Sequence, residues 1–503
     1  MMAQTRHALQ LLSAALLLSV AGAASPPDVA AQRPAAGRSL SQLIDSVLGT
    51  PPLDRSHWGI EVYDPARRRS VYRLNAQRRF IPASNLKLVV GAVALAELGP
   101  DYRFRTEVRA AAGDAAAVAS RLLVVARGDP SFSSWFHANP LAPLDSLADS
   151  LAHAGLRRVA GDLVIDASYF DRELVNPTWE IGDIDWRSGA RVTPLAVLEA
   201  AVPIVTVPGP RPGDPAQVTL LDPVGTFSVT ARVTTAEAGE DLKLVVSERR
   251  PGTDTLVVTG VIAVDEEPDT SYLAQSDPVR YAAHALVAAL TARGIELAGE
   301  VRVIHDTMEA RTLREATPRA LATWASPPLR RIVAALLKPS RNWIADVLVK
   351  TLGAERRSVG SWEAGLDVER RYLIEAARID SSAFQLRDGS GLSAQNLLTP
   401  GAIVRLLEHA SRAPWGKHFR AALAAPGERG STLETRLQGL EGQAAAKTGS
   451  ITNVRTLSGY VTMADGKDWI FSILTNASGS AGGAHRRALD RLVRELAERG
   501  SKP

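Results

Sequence analysis

The chain of 503 residues contains no cysteine. That excludes a disulfide framework, cysteine-ligated zinc, iron–sulfur clusters and a thiol nucleophile. A large excess of charge of one sign is missing too. The formal net charge is +4, and spread over this length it leaves no nucleic-acid footprint. The nine histidines form no His-x-x-x-His pair. A zinc-peptidase motif is therefore absent, and no metal or other cofactor is expected. Lysine is scarce: only eight of the 58 basic residues are lysine, namely Lys87, Lys243, Lys338, Lys350, Lys417, Lys447, Lys467 and Lys502. A chain that builds its cations from arginine makes each lysine a position to question. Arginine stays charged at any working pH, so it cannot take a proton from a hydroxyl.

Long apolar runs are confined to the N-terminus. Arg6 and His7 precede an apolar stretch from Ala8 to Ala21, and small residues run on to Ser25. This is the layout of a secretory signal peptide over 1–24, too short for an ordinary membrane span of ~20 residues. The expected location is outside the cytoplasm, periplasmic or extracellular, with at most peripheral membrane association. Residues 25–38 are rich in proline and alanine and read as a flexible lead-in.

The length suits about three domains. Helical periodicity covers Leu40 to Leu48, and a hairpin is expected from Trp58 to Leu74 with Asp64-Pro65 in its turn. From 105 to 277, short β-like runs dominate, separated by Gly-Asp-Pro and Pro-Gly turns. Helical patterns return from Val279 onward. The chain closes with three strands between Gly442 and Thr475 and a helix from Ala484 to Arg499.

Lys87 sits in Ser84-Asn85-Leu86-Lys87, at the start of an apolar helix that ends at Gly99-Pro100. Three residues apart on a helix, Ser84 and Lys87 share a face. Burial of the helix disfavours the charged amine, and a neutral lysine is a competent base for a serine hydroxyl. Alone the motif is weak, since about 0.6 matches are expected by chance, and a capping Ser84 with a snorkelling Lys87 is the alternative. Lys447-Thr448-Gly449 is rarer, with ~0.07 chance matches. It ends a strand on which Lys447 and Gly449 project to one side. It offers a cation for a carboxylate, or else a solvated edge-strand lysine. Between them lies Ser340-Arg341-Asn342, where Ser340 could also serve as a helix N-cap. In the glycine-rich turn Asp388-Gly389-Ser390-Gly391, Asp388 is either a turn-capping residue or a residue lining the site.

The order Ser-x-x-Lys, Ser-x-Asn, Lys-Thr-Gly resembles the penicillin-binding protein and serine β-lactamase superfamily. The long separation of Ser84 from Ser340 narrows the resemblance to the low-molecular-mass class C penicillin-binding proteins, the D-alanyl-D-alanine carboxypeptidase/endopeptidase family. Gly128-Asp129-Pro130-Ser131, Ser326-Pro327-Pro328-Leu329 and Ser458-Gly459-Tyr460-Val461 add to it. The resemblance implies an α+β fold, with a β-lactamase/transpeptidase-like catalytic domain over 39–104 plus 278–500. A large, mostly-β insertion of two modules would occupy 105–277.

The resemblance also implies the roles. Ser84 is the nucleophile, Lys87 its base, Ser340 a proton relay and Asn342 an orienting amide. Lys447 and Thr448 hold the substrate carboxylate, Gly449 lets a peptide pair alongside, and the N–H groups of Ser84 and Ser450 form an oxyanion hole. The partners implied are peptidoglycan peptides, with β-lactams as covalent inhibitors. Arg341 stands where these enzymes frequently carry aspartate, and Asp346 where they often carry glutamate; both bear on substrate preference. A β-lactamase or esterase on the same scaffold and a non-catalytic wall-binding module are the alternatives. No convincing Glu-x-x-Leu-Asn segment between Ser84 and Ser340 supplies the deacylating base a lactamase needs.

Overall fold

The computed structural model describes residues 39–239, 243–250, 252–479 and 482–499. The expected signal segment 1–24 and lead-in 25–38 lie outside the described residues.

Strands alternate their side chains, so a sheet with two apolar faces needs cover on both. The catalytic half is built that way. Its antiparallel sheet runs in the order Ala444–Ile451, Val454–Thr462, Asp468–Asn476, His57–Asp64, Arg69–Leu74. Ile60, Val62, Phe471 and Ile473 point to one face, where helices Leu40–Leu48 and Gly482–Glu498 cover them. Ile470 and Leu474 point to the other, beneath the helical layer. The first hairpin is present as His57–Asp64 and Arg69–Leu74. Its first strand pairs with the last strand of the chain, Ile60 opposite Ile473.

At the centre of the helical layer is Lys87–Glu97, buried from Lys87 to Leu95. A helix apolar on all sides must be surrounded. Leu329–Leu337, Asn342–Arg357, Trp362–Glu375 and Pro400–Arg412 enclose it. Thr399 caps the last of these, accepting from Ala402 N at 3.0 Å, with Pro400 in the first turn.

The inserted block differs from the expectation in extent and in composition. Its main sheet runs Val301–Ile304, Leu163–Asp166, Leu122–Val125, Arg105–Ala110, Arg319–Ala325. The three strands at one side are parallel. Leu122–Val125 and Leu163–Asp166 are buried throughout, as parallel strands covered on both faces require. Helices Ala142–His153 and Pro278–Thr291 pack on one face, and Thr307–Ala316 on the other. This first module is α/β, and only the second is all β: two three-stranded sheets around Ile204, Leu256, Val258, Ile262 and Leu273. Residues 278–325 pack and pair with the block, so the limit expected at 277 moves to Ala325. The physical reason is a pairing between distant segments: Arg319–Ala325 lies antiparallel to Arg105–Ala110, with Arg105 opposite Ala325. Entry and exit thus meet, as a domain set into another chain requires.

Candidate active site

Ala83–Leu86 is a 3-10 turn that runs directly into the helix Lys87–Glu97. In a 3-10 turn side chains at i and i+3 eclipse, and here those are Ser84 and Lys87. Ala83 is left-handed, with φ of 46°, a conformation kept only where the surroundings enforce it. They do so from three sides. Thr456 Oγ1 donates to Pro82 O at 3.0 Å. Asn85 Nδ2 donates to Ser458 Oγ at 2.8 Å, and Ser458 Oγ to Ser472 Oγ at 2.9 Å. Two glycines let the neighbours approach: a Cβ on Gly391 would strike Ala83 O, and one on Gly449 would strike Thr456 Oγ1 and lie 3.1 Å from Ser84 N.

Lys87 is fully buried. Its Nζ lies 2.8 Å from Ser84 Oγ, 2.7 Å from Asn342 Oδ1 and 2.6 Å from Ser390 O. The last two are pure acceptors. A neutral amine gives one hydrogen to each and keeps its lone pair for the Ser84 hydroxyl proton. Burial lowers this amine from 10.5 to about 7, against the opposing pull of Asp346 and Asp388.

Asn342 opens the helix Asn342–Arg357, and its Nδ2 donates to Ser188 O at 3.0 Å. That bond turns its carbonyl oxygen toward Lys87. Ser340 is not the N-cap of this helix; Arg341 is, without a side-chain cap. Ser340 is left-handed (φ 65°), and its Oγ accepts from Lys447 Nζ at 2.8 Å. Lys447 is also fully buried and donates to Thr448 O at 2.7 Å. Burial, then Lys87 and Arg436, hold its amine well below the usual lysine range. Read in the sequence as a cation for a carboxylate or else a solvated edge-strand lysine, it is buried and donates to Ser340.

The strand Ala444–Ile451 is the edge of its sheet. Ala446 turns its N–H and C=O outward to Ala424. Antiparallel strands alternate, so Thr448 and Ser450 turn theirs outward as well, beside Ser84. The sequence pattern of the D-Ala-D-Ala carboxypeptidase 3 (S13) family matches residues 40–496.

The chain belongs to that family.

It is therefore a serine peptidase, a hydrolase of the D-Ala-D-Ala carboxypeptidase kind. A D-alanyl-D-alanine carboxypeptidase of an Actinomadura species is 34% identical over 98% of this chain and 90% of its own. The crystal structure of penicillin binding protein 4 (DacB) of Haemophilus influenzae superposes with a TM-score of 0.76, at 21% identity, over 91% of this chain and 99% of its own. The same protein in complex with a β-lactam gives 0.71, at 20% identity, over the same shares. These two share the fold.

Asp388 of the S13 peptidase does not line the cleft. It is fully buried. Its carboxylate accepts from Trp179 Nε1 at 2.9 Å and from Gly391 N, Ser393 N and Asn396 Nδ2 at 2.8 Å each. It shapes the loop that presents Ser390 O to Lys87. Asp346 lies beneath, accepting from Trp362 Nε1 at 2.9 Å and Gly389 N at 2.8 Å. Burial and Asp388 push it up to about 7. Ser188 and Ser390 act through backbone carbonyls, which leave no side-chain signal in a sequence. Trp179, Ser188 and Arg191, the last accepting from Trp343 Nε1 at 3.0 Å, all come from the inserted block. The block thus braces the site.

Proposed function

We propose that Ser84 attacks the carbonyl of the D-Ala-D-Ala bond of a peptidoglycan stem peptide and carries the acyl group until water releases it. Lys87, held as a neutral amine, takes the Ser84 proton. The Ser84 and Ser450 N–H groups receive the oxyanion. Ser340 passes its hydroxyl proton to the leaving amine, and the proton that Lys87 took from Ser84 makes good the loss, so one proton travels from nucleophile to leaving group and Lys87 is neutral again. Thr448 meets the substrate carboxylate, and the free edge at Gly449 lets the peptide align as an added strand. Carboxypeptidase and endopeptidase cleavage both break an amide on the carboxyl side of D-alanine, and the open edge suits either.

The observation that carries this reading is the Lys87 amine between two acceptors and one hydroxyl. β-Lactams present the same acyl carbonyl to the same serine, so we place them as covalent inhibitors. We place the enzyme outside the cytoplasm on the layout of residues 1–24. Among the described residues no helix is long and apolar enough to cross a membrane.

Incubation with a labelled penicillin, and in parallel with a peptidoglycan pentapeptide, tests the proposal. A persistent label that is lost in Ser84→Ala, together with D-alanine release, is the expected result. Rapid penicillin turnover without D-alanine release points to a lactamase. A wild type that takes no label overturns the proposal.

A further inference from the structure

Leu198, Glu199 and Ala200 are three consecutive left-handed residues, with φ of 60°, 57° and 56°. None is glycine, and such runs are rare because the Cβ of each crowds its own backbone. The inserted block pins the turn. Leu198 N donates to Phe132 O at 2.8 Å, and Gln275 N donates to Ala200 O at 2.8 Å. Its product is a carboxylate in an unusual place. Glu199 is 4% exposed, and its Oε2 accepts from Arg341 Nη1 at 3.2 Å.

Arg341 is the middle residue of the Ser340-Arg341-Asn342 segment. Ser340 on one side holds Lys447, and Asn342 on the other holds Lys87. Both strained segments, one from each half of the molecule, therefore meet at a single ion pair. Arg187 adds a second guanidinium, seated 3.7 Å over the Tyr272 ring and drawn by Glu199. The carboxylate is thus held by one direct ion pair, to Arg341, in the field of a second cation. An aspartate at 341 would face Glu199 with like charge, so this glutamate and this arginine depend on each other.

We infer that Glu199 is a positioning residue, which holds the Ser340–Asn342 segment through Arg341 and so sets the rate at which Ser84 is acylated. The inference rests on Ser84 being the acylated residue. It is tested on the whole enzyme by stopped-flow acylation with a fluorescent penicillin, separating noncovalent binding from the covalent step. Glu199→Gln, Arg341→Ala and the double variant are compared with wild type, and melting temperatures are recorded alongside. Arg341→Ala removes the pair without touching the strained turn.

Each single variant is expected to slow the covalent step about tenfold, with noncovalent binding within about twofold. The double variant is expected to be no slower than the slower single, since one interaction is lost only once. Multiplied effects in the double variant overturn the inference. So does an Arg341→Ala enzyme that acylates within about twofold of wild type, or a loss confined to binding. A wild type that takes no label overturns the acylation reading and this inference together. Variants that match a well-labelled wild type overturn the role of Glu199 alone.

Discussion

The nucleophile turn and the middle of helix Asn342–Arg357 each bury a lysine completely, Lys87 in the first and Lys350 in the second. Burial lowers both amines, but their nearest acceptors differ, a carboxylate for Lys350 and uncharged oxygens for Lys87. Lys350 Nζ reaches the Asp171 carboxylate at 2.6 Å and lies 4.0 Å from the centre of the Trp362 ring. Both partners favour an ammonium. Lys87 touches two carbonyl oxygens and a hydroxyl, and no carboxylate directly. Burial alone does not make a base. The charge of the nearest acceptor decides whether a buried lysine is a cation tying two domains together or an amine waiting for a proton.

The largest test of that contrast is Lys87→Arg. The guanidinium cannot become neutral, so acylation by penicillin is expected to fall by about a thousandfold or more. Penicillin labelling followed over time reads it, and a fall of less than about tenfold would break the comparison.

Next comes Asp388→Ala. It strips five donors, the Ser390 hydroxyl among them, of their buried acceptor and releases the loop that carries Ser390 O. A stability loss of about 3 kcal/mol in denaturant titration is expected, with slower acylation. Unchanged acylation would show that Ser390 O holds its place without Asp388.

The pH dependence is smaller. Below about 7, Lys87 becomes protonated, and acylation is expected to drop about tenfold per unit. The unfolded chain keeps that proton up to about 10.5, so between the two values it binds more protons than the folded one. The Lys87 contribution to stability therefore rises with pH across that window and is level below it. An acylation profile flat from pH 5 to 9 would contradict the neutral amine.

The smallest effect is expected for Lys350→Met. It leaves Asp171 one-third exposed and able to rehydrate, so unfolding is easier by about 1 kcal/mol. Acylation should stay within about threefold, and a larger loss would place Lys350 in the active site.

Side chains in short ordered motifs were legible in the sequence. Of the residues singled out by type and order, Lys87 lies within hydrogen-bond reach of Ser84 and Asn342, and Lys447 of Ser340. The hairpins and amphipathic helices of the catalytic half follow local periodicity, which a sequence carries. Three things did not follow. The carbonyls of Ser188 and Ser390 belong to no residue type in particular. The side of the loop on which Asp388 lies depends on Trp179, a partner from another domain. The limit of the inserted block depends on a pairing between Arg105–Ala110 and Arg319–Ala325, which no local window spans. Helix Ala142–His153 was hidden for a related reason, since the apolar runs around it read as strands.

The pairing of His57–Asp64 with Asp468–Asn476 has a consequence in time. A chain emerges from its N-terminus, so Ser84 and Lys87 exist long before Lys447 and the strand that completes the sheet. Until Asn476 has emerged, the first hairpin has no central neighbour and the nucleophile turn lacks the strands that clamp it. Sheets closed by the two ends of a chain form late. The inserted block, whose own ends already meet, can fold while the rest waits. Assembly of the site therefore waits on Val454–Thr462 and Asp468–Asn476, the strands that clamp the nucleophile turn and complete the sheet.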